Sequence, residues 1–273
     1  MVDVELLYRQ QLNDADRMVL RGAQWPDVPL AVALGSPGVD AAVYGDGGPE
    51  APAGVSPFMA FAVAVHRTAG ALESASFVEE RFAPRLRIPV FDVQALRDLL
   101  ADPVRVYFLV ELLASYTRVA SGVTWTRTAR GWRRRRFSEL DPGRLAALLD
   151  VVDAAERPGV YRRLGDLSLF LLGVFPDHPP VPSGGAAVDR LLRLSGLATD
   201  RAGDMGPHAL YELLGSRWYR AAVQSTTAAG RPVTGTLAVA GYMADHFREA
   251  RRVLNAVTDR YLFPWREQWF TGR

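Results

Sequence analysis

The sequence predicts a mainly α protein, a multi-helix bundle with one basic β-hairpin. Three observations predict it. Long stretches place apolar residues at helical spacing, several of them open on a proline, and one segment, residues 123–137, changes to a period of two. Nothing in the composition opposes this, since 49% hydrophobic and 23% charged residues are ordinary for a globular chain.

Residues 3–21 form an expected amphipathic helix, with Tyr8, Leu12, Ala15 and Val19 on one face and Gly22 as its stop. Pro29 to Leu34 is a weak strand candidate. Between Gly35 and Pro57 lie six glycines and four prolines in 23 residues, which reads as a long loop. Pro57 opens a helix through about Phe77, Asp92 caps a short one from Val93 to Leu100, and Pro103 begins another that runs to Ala120. This last helix is apolar on most of its surface and is expected in the core; Glu111 is its lone acid, with Arg118 two turns on as one candidate partner.

Val123 to Phe137 is the hairpin. Val123 to Thr128 is rich in β-branched and aromatic residues, Ala129, Arg130 and Gly131 supply the turn, and Trp132 to Phe137 returns. With a three-residue turn, Trp125 pairs with Arg135; a two-residue turn changes that register, and the sequence leaves both open. Asp141 and Pro142 begin a helix ending near Glu156, and Pro158 begins one that is apolar nearly all round up to Phe175. The run from Pro176 to Pro182 is a stiff connector. Helices over about 186–197, 207–228 and 235–262 complete the chain, which divides into residues 1–57, an N-terminal helix and Gly/Pro-rich loop, and 58–273, the helical domain; one continuous domain is the alternative.

Composition also removes chemistry. There is no Cys, and all 32 positive charges are arginine against 30 acids, so disulfides, thiolate nucleophiles, Schiff-base lysines and phosphate-loop lysines are excluded. Arg, Ala, Gly and Pro codons are GC-rich, so the missing lysine reads mainly as a genomic habit. No secretory leader and no apolar run near 20 residues is seen, which makes cytoplasm the expected compartment and a membrane partner unexpected. The positive charge is unevenly placed. Seven arginines and no acid lie between Arg118 and Arg136, leaving 25 Arg against 30 acids, net −5, elsewhere.

That segregation motivates the leading functional expectation: a non-enzymatic interaction or regulatory protein contacting nucleic acid or an acidic protein. The candidate contact residues are Arg127, Arg130, Arg133, Arg134, Arg135 and Arg136, whose forks suit phosphate, with Trp125 and Trp132 available for stacking. The bland alternative is a solvated flap, or arginines paired with acids of the body.

A second constellation centres on Asp166, an aspartate within an apolar helix that must be met by a partner. Tyr211, Gly215 and Tyr219 form one stripe of a later helix, two phenols flanking a residue small enough for close approach. The run Leu164-Gly165-Asp166-x-Ser168-Leu169-Phe170-x-x-Gly173-x-Phe175-Pro176, followed by Tyr211-x-x-x-Gly215-x-x-x-Tyr219, resembles a set of uncharacterised bacterial proteins with an LGD-x-SLF-x-x-G-x-F-P helix signature. The resemblance covers the chain from the hairpin to Tyr219; it implies a helical context and no particular activity, cofactor or catalytic residue. Asp166, Ser168, Tyr211 and Tyr219 are therefore either a buried hydrogen-bond network or the lining of a pocket in a small-molecule-binding protein or enzyme.

No catalytic set is complete. His208 with Glu212 and His246 with Glu249 share helix faces, yet a carboxylate-bridged metal bundle needs Glu three residues before His, so no metal and no cofactor is expected. Gly35-Ser36-Pro37-Gly38 lacks the lysine of a phosphate loop. A homo-oligomer would follow if the apolar helices leave a large uncovered face.

Overall fold

In the computed structural model the described residues are 3–45, 54–83, 86–128, 131–176, 185–197, 205–263 and 269–270, with only the backbone described over 81–83, 86, 124–128, 131–137 and 185–187. The fold is mainly α, with thirteen α-helices among the described residues. The chain forms two compact units, one of Met1–Arg118 with Arg252–Arg273 and one of Val119–Arg251.

The first unit is built around α5 (Pro57–Ser74), whose residues Phe58 to Val65 are all buried. A helix apolar on every side needs neighbours on every side. These come from α3 (Leu30–Leu34), α4 (Pro37–Tyr44), α6 (Val93–Leu100) and α7 (Pro103–Ser115), while Phe61 stacks on Phe270 with ring centroids 5.6 Å apart. The expected helix over 3–21 is two helices, α1 (Val4–Gln11) and α2 (Asp14–Gly22), because Asn13 opens a reciprocal capping box with Asp16. Tyr8 and Leu12 are buried as expected, while the break replaces Ala15 and Val19 on the buried face by Asp16 and Leu20.

The cost of burying the Asp16 carboxylate is offset by the donors around it. Besides closing the capping box, its carboxylate accepts from the backbone N–H and the hydroxyl of Ser56, both at 2.7 Å. Ser56 is itself the N-cap of α5 and accepts from Met59 N–H. One carboxylate thus fixes the starts of α2 and α5 together.

Other expectations for this unit are corrected as well. The weak strand at Pro29 to Leu34 is helix α3, and the Gly/Pro-rich loop contains α4, started by Ser36 and Pro37 and ended at Gly45 with φ +56°; residues 46–53 lie outside the described residues. The structure also adds a second hairpin, β1 (Val78–Ala83) with β2 (Leu86–Val90), in which Val78 faces Val90 and Glu80 faces Ile88. Its charged residues and Pro89 disguise it, since a proline is tolerated only where a strand edge stays open. Helix α7 stops at Ser115 rather than Ala120, where the Ser115 and Thr117 hydroxyls take up the carbonyls of Leu112 and Ala114, each at 2.8 Å.

The second unit is built around α9 (Arg157–Val174), buried continuously from Leu164 to Val174. It packs antiparallel on α11 (Pro207–Ala228), with Gly165 against Tyr219 and Ser168 against Gly215. Around this pair lie α8 (Pro142–Ala146) with a 3-10 turn at Ala147–Asp150, α10 (Gly185–Leu194) and α12 (Thr236–Asp245). The helix expected over 235–262 breaks at His246, which takes up the Tyr242 carbonyl at 3.0 Å; α13 (Phe247–Val257) follows, and from Arg252 on the chain, including the π-helical turn Thr258–Leu262, belongs to the first unit. Of the connector expected over 176–182, residues 177–182 lie outside the described residues.

Candidate functional site

The basic hairpin is a ribbon of β3 (Ser121–Thr128) and β4 (Gly131–Ser138). Pairing runs from Ser121 opposite Ser138 to Thr128 opposite Gly131, so two residues, not three, lie between the last paired positions. Trp125 stands opposite Arg134 and Arg127 opposite Trp132, while Thr124 meets Arg135 and Thr126 meets Arg133. Because alternate residues of a strand belong to opposite faces, both tryptophans share a face with Arg127, Arg134 and Arg136. Arg130 lies outside the described residues, as do the side chains of Trp125, Arg127, Trp132 and Arg133 to Arg136.

The ribbon is fastened at its base. Glu139, the first acid after the arginine run, exchanges backbone and side-chain bonds with Ala120: its N–H donates to the Ala120 carbonyl at 3.1 Å, and its carboxylate accepts from Ala120 N–H at 2.9 Å. The same oxygen pairs with Arg163 of α9 at 3.2 Å, where both side chains are largely buried. Sequence reasoning missed Glu139; its position at the end of the acid-free run was the available signal.

On α9 and α11 the structure brings two of the four other candidates together. The Tyr219 hydroxyl donates to Asp166 Oδ1 at 2.8 Å, and Arg162, one turn earlier on α9, lies 3.6 Å from Oδ2 while reaching Thr236 with its other end. Asp166 is 5% exposed. Glycines make this closeness possible: a Cβ on Gly165 would sit 2.5 Å from the Tyr219 ring, and one on Gly215 2.3 Å from the Phe247 ring. Ser168 donates to its own helix at Leu164 O rather than across the contact. Tyr211 lies two turns from Tyr219 along α11, fully buried; burial, with the Asp141 carboxylate second, holds its phenol well above the ordinary range. The arrangement joins two helices through a charge-assisted bond. A cavity of about 480 Å³ in this unit lies toward the start of α9 at Pro158, Thr226 and Arg231 and does not include Asp166.

The His–Glu pairs go separate ways. His208 bonds the Pro176 carbonyl, Glu212 is shared by Arg248 and Arg251 at 3.0 and 3.2 Å, and His246 stacks on Tyr242 at 3.9 Å. Among the described residues, no three His, Asp or Glu side chains converge as metal ligands. In the first unit His66 bonds the Tyr8 hydroxyl at 3.1 Å, and burial lowers its pKa from 6.5 to about 4. Among the described residues no helix is long and apolar enough to cross a membrane. Compared with known protein families, curated proteins and solved structures, the chain finds no match.

Proposed function

We propose that this is a non-enzymatic, cytoplasmic interaction protein that binds nucleic acid through the β3–β4 ribbon. One observation carries the reading: the register of β3 against β4 gathers Trp125 and Trp132 on one face with Arg127, Arg134 and Arg136. Arginine forks bind phosphate and aromatic rings stack on bases, so a face combining both suits an extended strand of nucleotides better than a purely acidic protein. The acid-free run and the net −5 of the remaining chain orient the ribbon toward a polyanion.

The test is fluorescence anisotropy of a labelled single-stranded oligonucleotide over a salt series. The logarithm of the affinity is expected to fall linearly with the logarithm of salt, by roughly 0.7 per phosphate contact. Replacing Arg133, Arg134, Arg135 and Arg136 by Ser flattens that slope, and Trp125→Ala or Trp132→Ala costs about 1–3 kcal/mol with the slope kept. No binding at low salt would overturn the proposal. Binding of polyglutamate that depends on the arginines and ignores both tryptophans would replace nucleic acid by an acidic protein.

A further inference from the structure

We infer that the first unit holds a separate binding site for a small apolar carboxylic acid, in a cleft between α5, the β1–β2 hairpin and the π-helical turn. The cleft has a volume of about 340 Å³, at the lower end of the range for ligand pockets. Its wall is apolar, formed by Ala71, Leu72 and Ala75 at the end of α5 and by Phe77 and Val78 leading into β1. Phe77 is 46% exposed and touches Phe91, 73% exposed, with ring centroids 6.1 Å apart. Two large aromatic rings left in water beside a concave apolar wall favour an apolar occupant.

Thr68 supplies the polar point. It lines the cleft, is 2% exposed, and its hydroxyl has no hydrogen-bond partner among the described residues. Hydroxyls on the other long helices behave differently: Ser168, Thr226 and Thr227 each donate to the carbonyl one turn back. A buried hydroxyl left unbonded is costly, and a ligand polar group that drew the Thr68 side chain toward the cleft would relieve that cost.

The rim supplies the charge. Arg87 of β2 is held by two carboxylates, Glu79 and Asp259, each at 3.2 Å, which ties the hairpin to the π-helical turn. Arg260, next along that turn, is exposed and makes no ion pair among the described residues; its guanidinium lies 5.8 Å from the Tyr261 ring. The two acids and two arginines of the rim balance, and Arg260 is the rim cation that makes no ion pair among the described residues, so it is the group that meets a carboxylate. The walls are braced before any ligand arrives: Arg252 bonds Glu80 at 2.8 and 3.1 Å, and Arg97 takes up the last carbonyls of α5, Leu72 and Ala75. A preformed cleft loses little ordering entropy on binding.

The experiment uses the full chain with 4-phenylbutyrate and its neutral amide, 4-phenylbutanamide, by ligand-observed NMR and thermal shift. The carboxylate is expected to bind at roughly millimolar Kd or better and to raise Tm. Arg260→Gln weakens it about tenfold and removes the preference over the amide. Thr68→Val weakens binding while leaving the protein folded, and Ala71→Phe, which fills the cleft, abolishes it. No binding of the carboxylate, equal binding of the amide to the unmutated chain, or an affinity unchanged by both Arg260→Gln and Ala71→Phe would overturn the assignment.

Discussion

At the scale of single residues, buried polar groups decide what each position tolerates. Asp166 accepts from Tyr219 and is paired with Arg162, so removing one member strands the others. Asp166→Ala is expected to cost about 3 kcal/mol and Tyr219→Phe about 1.5–3 kcal/mol, read by urea denaturation. Gly165→Ala fails for a steric reason instead, its methyl meeting the Tyr219 ring, and is expected to cost about 1–3 kcal/mol. A gain of stability in any of the three would show that the contact is not what joins α9 to α11. His66 brings pH into the first unit. Burial lowers its folded pKa from 6.5 to about 4, so its contribution is complete above about pH 6.5, falls on acidification, and is gone below about pH 4. Unfolding free energies at pH 7 and 4.5 should show the unmutated chain losing about 2 kcal/mol more than His66→Gln; equal losses would remove His66 as the cause.

Elements in this protein are fixed by a few side chains at their ends. Asn13, Ser36, Ser56, Asp102 and Asp141 each cap a helix, and prolines at Pro37, Pro57, Pro103 and Pro142 follow four of those caps. The ribbon depends on its base in the same way. Glu139 closes the β3–β4 ladder and anchors it to α9, so Glu139→Ala is expected to speed amide exchange throughout residues 121–138 at least tenfold while leaving α9 and α11 protected. Unchanged exchange in the ribbon would mean that the ladder alone holds it. At this scale the sequence reads well wherever a signal is local. The bounds of α6 and α11 agree with expectation to the residue, because apolar spacing, and for α11 the proline at its start, lie within the element, although Asp92 makes no side-chain cap bond to α6. It reads poorly where a long pattern hides an interruption, as at Asn13 and His246.

For the whole molecule, charge placement separates two roles. Arg127 and Arg133 to Arg136 of the acid-free run lie on the ribbon of the second unit, while in the first unit Arg67, Arg87 and Arg252 are spent on ion pairs with Asp40, Glu79, Asp259 and Glu80. Nucleic-acid binding should therefore be steep in salt and indifferent to Arg260→Gln, and carboxylate binding should ignore replacement of Arg133 to Arg136. A variant that damages both would merge the two sites into one. By itself the sequence determined the α class, the two all-round apolar helices, the basic ribbon and the need of Asp166 for a partner. Each rests on residues a few positions apart, where periodicity and capping act. Only the tertiary structure decided that Tyr219 is that partner, that Trp125 stands opposite Arg134 in the ribbon, that Asp16 joins α2 to α5, and that Glu80 meets Arg252 across 172 positions. The physical reason is that ion pairs, register and cavities are set by which surfaces meet on folding, and no local spacing encodes that meeting.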